Sequence, residues 1–250
     1  MNKKDEWWNV ENLKKAQDII LNKQELEDDD NKNDFGSYRI ALESDDFNKS
    51  DLGSHNDVDP KLRIEFISRL INKKVSDVKK IFDVGCGAGF ITNSLCDVYL
   101  NSSVLGVDIS EHGIKFATKN FNRPKFICDA IDSSNDIYGI FDLVFCFEFY
   151  PFSRTDDIYI HNNYMKYFLK HLSDNGVLVI NQVLDNRNSI WNNLEKIKSQ
   201  FQEYEFKVYS TPHKKILKYV KNIYISMILD FFIKFLLGKK ATKVILINKK

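Results

Sequence analysis

The sequence predicts an α/β protein: one seven-stranded, mostly parallel sheet with helices on both faces and an antiparallel strand pair at its C-terminal edge. Three observations predict it. From residue 79 to 182, short apolar runs of strand length alternate with segments of helical period, the pattern of a sheet covered on both faces. The first run ends in Asp83-Val-Gly-Cys-Gly-Ala-Gly89, a turn whose glycines let another group approach the backbone. The second run ends in Asp108, 25 positions after Asp83.

In chain order, residues 6–27 carry Trp7, Val10, Leu13, Ile20 and Leu21 at roughly helical spacing and predict a helix. The stretch ELEDDDNKND ends it, and the chain stays polar to Asp59, with Gly36 and Gly53 as punctuation. This predicts a long loop or lid, so residues 1–59 form an N-terminal segment and 60–250 the main domain. Pro60 suits a first helical position, with Asp59 before it and Leu62, Ile64, Phe66, Ile67 and Leu70 following. Strands are predicted at 79–84, 103–108, 125–129, 141–147, 176–182, 204–210 and 242–248. Helical segments FITNSLCDVYL, EHGIKFATKNF, HNNYMKYFLKHL and SIWNNLEKIKSQF fall between them, and a long apolar helix over 213–238 joins the last two strands.

Composition narrows the function. Among 250 residues, 36 are basic and 35 acidic, a net charge of +1, which lacks the basic excess of a nucleic-acid binder. Cys86, Cys96, Cys128 and Cys146 have no CxxC spacing and read as buried reduced thiols rather than a zinc site or disulfides. The N-terminus has no apolar core of leader length, so a cytoplasmic protein is expected. In the 213–238 helix, Lys214, Lys218, Asn222, Ser226, Asp230 and Lys234 recur every four residues and leave one narrow polar stripe. Its longest uncharged run is eight residues, between Lys221 and Asp230, too short to span a bilayer. Burial against the domain or in a homodimer is the first expectation; a substrate lid and a peripheral membrane contact are the others.

In a doubly wound sheet, ligands sit beyond the carboxyl ends of the strands where strand order reverses. An acid at the end of the second strand suits ribose hydroxyls, and the glycines suit a ligand pressed on the backbone. A dinucleotide fingerprint wants G-x-G-x-x-G; here the spacing is Gly85, Gly87, Gly89, followed by Phe90. An acid in the turn, Asp83, opposes a pyrophosphate and favours an ammonium. A ribose, a cationic amino-acid tail and no phosphate describe S-adenosyl-L-methionine.

The series DVGCGAG, GVDIS, ICDAID and FDLVFCFE resembles the motifs of class I S-adenosylmethionine-dependent methyltransferases, with their seven-stranded Rossmann-like fold. The likeness covers roughly residues 60–185. It implies that Gly85 and Gly87 approach the methionine portion, with Cys86 and Gly89 completing the turn and Asp83 near the amino group. Asp108 would take the ribose and Ile109 pack on adenine. Asp129 would accept from the exocyclic amine, with the Ala130 amide beside it. The product would be S-adenosyl-L-homocysteine.

Methyl transfer is an in-line displacement, so the protein mainly aligns the acceptor, with a base where a hydroxyl or ammonium must lose its proton. The loop after the fourth strand faces that position in the family. Glu148 is the leading candidate for base or acceptor contact and His161 the second; a structural carboxylate paired with Arg154 and a surface histidine are the plainer readings. His55 on the polar segment and His112 in a first helical turn are weaker candidates. Phe149, Tyr150 and Phe152 are candidate pocket walls, and Trp7 and Trp8 candidate covers. VFCFE is also similar to the matching segment of ubiquinone-biosynthesis O-methyltransferases. Pro151 and Phe152 stand where that family carries a metal-associated Glu-His pair, so no metal is expected. The expected acceptor is a small molecule methylated on oxygen: quinone-like, a lipid, or a sugar- or nucleotide-linked polysaccharide precursor. A protein methyltransferase and a non-catalytic cofactor-binding regulatory module are the alternatives.

Overall fold

The structure is a computed structural model that describes residues 60–71, 73–131, 138–153, 155–183, 189–212, 214–237 and 242–250. The helix predicted over 6–27, the loop to Asp59, Trp7, Trp8, His55 and Arg154 lie outside the described residues.

Helix α1 (Pro60–Leu70) leads into β1 (Lys80–Val84), α2 (Phe90–Val98), β2 (Ser103–Asp108), α3 (Glu111–Asn120) and β3 (Lys125–Cys128). Next come β4 (Phe141–Phe147), a one-turn α4 (Tyr150–Ser153), α5 (Ile158–Lys170), β5 (Leu172–Val183) and α6 (Leu194–Gln200). The chain closes with β6 (Tyr204–Thr211), α7 (Lys214–Tyr219), α8 (Ile223–Leu237) and β7 (Thr242–Lys249). The strands form one sheet in the order β3-β2-β1-β4-β5-β7-β6. β1 pairs in parallel with both β2 and β4, so the strand order reverses there and a crevice opens beyond their carboxyl ends. β7 runs antiparallel between β5 and β6. All seven strands predicted from periodicity are present, and the antiparallel pair lies at the expected edge.

Side-chain alternation divides the core into two layers. Ile81, Leu143, Phe145 and Val179 face α1 and α2, whereas Phe82, Val144, Cys146 and Ile180 face the aromatic cluster of α5. Cys86, Cys96 and Cys146 are buried, Cys128 is partly so, and none is in a disulfide. Because the central strands are covered on both sides, their ends are the places where backbone meets solvent or ligand.

Two elements differ from the sequence expectation. β5 starts four residues early: Leu172 pairs with Phe141 before the register shifts between Phe141 and Leu143. The 213–238 helix is broken into α7 and α8, because the Asn222 side chain accepts the Ile225 N–H at 3.1 Å and caps a fresh helix start. Nor is α8 buried in this chain. It packs beside β6 and α7, while Phe231, Phe235 and Leu236 are exposed.

Candidate active site

The turn after β1 takes a shape only glycine tolerates easily. Gly85, Gly87 and Gly89 have φ of 70°, 52° and 80°, all in the left-handed region. Their backbone is tied to β2: Val107 O accepts the N–H of Gly85 at 2.8 Å and of Cys86 at 3.1 Å. Gly89 caps α2, and a Cβ there would lie 2.8 Å from both Ala117 Cβ and the Phe126 ring. Gly113 at the start of α3 is equally confined, since its Cβ would come 2.9 Å from Gly87 O.

Asp108 stands at the end of β2. Its Oδ2 accepts the Gly87 N–H at 2.7 Å and its Oδ1 the Ser110 N–H at 2.8 Å. Burial raises its pKa, opposed by the N–H donors of Ser110, Gly87 and Ile109. Each carboxylate oxygen has a second lone pair, so ribose hydroxyls can be accepted without surrendering the backbone bonds. Ile109 is buried beside it, and Ala130 is buried one strand further along. The Asp129 N–H donates to Asp108 O at 3.0 Å, which sets the second and third acids next to each other. Asp129 Oδ2 accepts the Tyr138 hydroxyl at 2.5 Å. The residues present thus fit a nucleoside: a glycine cradle, a ribose-side carboxylate and a further carboxylate at the neighbouring strand end.

Asp83 is placed differently from the expectation. It is 1% exposed, beneath the turn, and accepts the Thr92 hydroxyl at 2.7 Å. Burial pushes its pKa up to about 7, against the lowering effect of the Thr92 bond and with a further rise from Asp108.

Glu148 lies just past β4, next to the crevice. Its φ is 50°, the only positive value for a non-glycine residue among the described residues. An L-residue held there costs on the order of 1–2 kcal/mol, and such outliers gather at functional sites. The surroundings over-determine it: its N–H donates to Asn181 O at 3.0 Å, and its carbonyl accepts the Ser153 hydroxyl at 3.1 Å. On α1, Arg63 is buried, 5.9 Å above the Phe147 ring. Burial lowers its pKa, and the Glu148 charge opposes that shift, so the two side chains share a field. Asn181 is 1% exposed and both of its amide atoms lack a hydrogen-bond partner among the described residues, as do those of the neighbouring Gln182. Arg63, Asn181 and Thr92 were not picked out from the sequence. The signal for Asn181 was there: two amides end a strand that is otherwise apolar, VLVINQV.

His161 is neither a surface residue nor placed to take a substrate proton. It is 0% exposed. The Asn193 amide can only donate to Nδ1, at 3.2 Å, so Nε2 carries the hydrogen and donates to Pro151 O at 3.1 Å. Burial pushes its pKa down to about 4, against the raising effect of the Pro151 bond. Phe149 and Phe152 likewise belong to the core, packed edge-on against Tyr164 and Phe168, although Phe149 still reaches the turn: a Cβ on Gly85 would lie 3.2 Å from its ring. His112 falls in the first turn of α3, as expected.

Two predictions follow from these placements. Because Asp83 has its folded pKa raised above the usual value near 3.9, it progressively destabilises the fold as pH rises from about 4 to 7 and by a constant amount above. Asp83→Asn should therefore gain about 2–3 kcal/mol relative to wild type between pH 5 and pH 8 in ligand-free thermal unfolding; a pH-independent difference would mean an ordinary carboxyl. The His161 case has the opposite sign: its depressed pKa gives stability that is lost as pH falls from about 6.5 to 4. His161→Gln should lower stability by about 1–3 kcal/mol at pH 7.5, less at pH 5, and leave turnover per folded molecule unchanged.

The comparisons with known proteins agree with this geometry. A family model described as a methyltransferase domain matches residues 76–243, from just before β1 into β7. The 235L protein of Invertebrate iridescent virus 6, which carries a methyltransferase name, is 26% identical over 164 residues, 56% of this chain and 62% of that protein. The rRNA N(6)-adenosine-methyltransferase metl-5 of Caenorhabditis elegans is 30% identical over 73 residues, 26% of this chain and 34% of the relative. The chain thus spans less than two thirds of the length of these relatives. Among solved structures, the plantazolicin methyltransferase BpumL in complex with a monoazolic desmethylPZN analog and SAH superposes with a TM-score of 0.57 over the whole of both chains at 13% identity, which shows a shared fold. One domain accounts for the sheet, its glycine turn and both strand-end acids, and the chain belongs to the class I S-adenosylmethionine-dependent methyltransferases.

Proposed function

We propose that the chain transfers the methyl group of S-adenosylmethionine to a small-molecule acceptor, on oxygen, with Glu148 as the base. The observation that carries this reading is the left-handed φ of 50° at Glu148, beside the point where strand order reverses. The fold holds a strained acid there, its N–H bonded to Asn181 O and its carbonyl to the Ser153 hydroxyl, although a glycine would take that conformation without cost.

The bound cofactor supplies an electrophilic methyl on a sulfonium. The glycine turn and Asp108 hold its nucleoside, and the acceptor side is left to Glu148, Asn181 and Arg63. A neutral hydroxyl must lose its proton as the new bond forms, and a carboxylate beside the acceptor can take it. Asn181 offers a buried donor and acceptor with no partner among the described residues, suited to fixing the acceptor's own polar groups. Phe152 is buried where the metal-associated pair of the similar O-methyltransferases would stand, so the proposed reaction draws on no divalent ion. Buried thiols suit a reducing compartment, and a cytoplasmic setting is proposed with the activity.

Glu148→Gln should lower turnover by about 10²–10⁴-fold with S-adenosylhomocysteine affinity nearly unchanged by calorimetry. Since Glu148 also offsets a buried charge, the double variant with Arg63→Met should recover any lost stability but not the rate. A double variant that recovers both would make Glu148 structural. Full cofactor affinity without turnover on any hydroxyl acceptor would favour a regulatory module. Asp108→Ala should weaken S-adenosylhomocysteine binding by about 1–3 kcal/mol, because ribose hydroxyls lose a charged acceptor; an unchanged affinity would remove Asp108 from the ribose site.

A further inference from the structure

Helix α8 is turned inside out for a helix on a water-soluble domain. Its polar residues Ser226 and Asp230 are 0% exposed, while Tyr224, Ile225, Ile228, Phe231, Phe235 and Leu236 stand in solvent, the last two 75% and 78% exposed. At 100° per residue the exposed side chains sweep more than half the circumference, and among the described side chains the inward arc holds Ile223, Ser226, Met227 and Asp230. Contiguous apolar surface of this kind marks a contact site. No helix among the described residues is long and apolar enough to cross a membrane, and 15 residues rise only about 22 Å against a hydrocarbon core of about 30 Å.

Charge decides what covers the face. By sequence, Lys214, Lys215, Lys218 and Lys221 precede α8 and Lys239 and Lys240 follow it. Lys218 and Lys221 are exposed in the structure, and the Arg69 guanidinium joins that end by donating to Lys221 O at 3.1 Å. The one acid of the segment, Asp230, faces inward. Pairing α8 with a second copy of itself, parallel or antiparallel, would therefore bring lysine against lysine with no exposed acid of the segment to answer it. A negatively charged lipid surface meets both needs at once: headgroups for the basic ends and acyl chains for the apolar face.

We infer that α8 is an interfacial anchor that lies in the plane of an anionic bilayer and seats the domain on it. The inference does not depend on which acceptor is methylated. The full chain should co-sediment with vesicles of phosphatidylcholine mixed with phosphatidylglycerol, less so as salt is raised, and far more weakly with phosphatidylcholine alone. Phe231→Asp with Phe235→Asp should reduce the lipid-bound fraction to that of a lipid-free control, while unfolding temperature and S-adenosylhomocysteine affinity stay at wild-type values. Lys218→Glu and Lys221→Glu should each weaken binding to the anionic vesicles at least about fivefold. Equal sedimentation with and without anionic vesicles, or binding indifferent to the Phe231 and Phe235 changes, would overturn the inference. So would a wild-type dimer in sedimentation equilibrium that the same double variant dissociates, since the face would then belong to a second copy.

Discussion

The Asp108 carboxylate accepting the Gly87 N–H at 2.7 Å is the joint on which the site depends. It ties the end of β2 to the turn after β1, alongside the two N–H bonds that the turn donates to Val107 O. A turn with three left-handed residues has little intrinsic preference for one shape, and these bonds choose it. The rest is stacked on that choice. α2 starts from Gly89, α3 crosses over Gly87 O with room only for a glycine at 113, and Phe149 closes on Gly85 from the β4 side. The carboxylate that shapes the turn is also the one proposed to receive a ribose, and on that reading cofactor binding and loop geometry share a single group.

Buried polarity is handled in two ways around the crevice. Two buried titratable groups are answered by neighbours: Asp83 has Thr92, and His161 has Asn193 and Pro151. Asn181 and Gln182, on opposite faces at the end of the strand that receives the Glu148 N–H, leave all four amide atoms without a partner among the described residues. An unmet buried amide costs on the order of 1–3 kcal/mol, which a fold tolerates most readily where a ligand completes the bonds. The strained Glu148 backbone lies at the same edge. Strain at Glu148 and the unmet amide of Asn181 coincide at the carboxyl end of β4 and β5, the side proposed for the acceptor.

Helix α8 obeys a different rule. The insertion between β6 and β7 carries a narrow polar stripe, and within α8 the domain takes Ser226 and Asp230 of that stripe inward. The consequence is an apolar exterior between basic ends, where the remainder of the surface mixes both signs of charge. The site and the helix are thus separable in their physics: one is governed by backbone conformation and hydrogen bonding, the other by hydrophobic area and flanking charge.

The sequence by itself determined the sheet, because seven apolar runs with strand period and intervening helices admit few arrangements, and it determined the glycine turn and the acids at 83, 108 and 129 by their spacing. Its reach ended with side-chain direction and long-range partners. Periodicity could not say that Asp83 points under the turn and not into the crevice, that His161 is enclosed by Pro151 and Asn193, or that Arg63, over eighty positions upstream, shares a field with Glu148. Nor could a helical stripe say which side faces inward: Ser226 and Asp230 mark one face of α8 equally well whether it is wet or buried. Those outcomes are decided by what each residue meets after folding, through desolvation, hydrogen-bond satisfaction and packing, and these depend on neighbours distant in the chain.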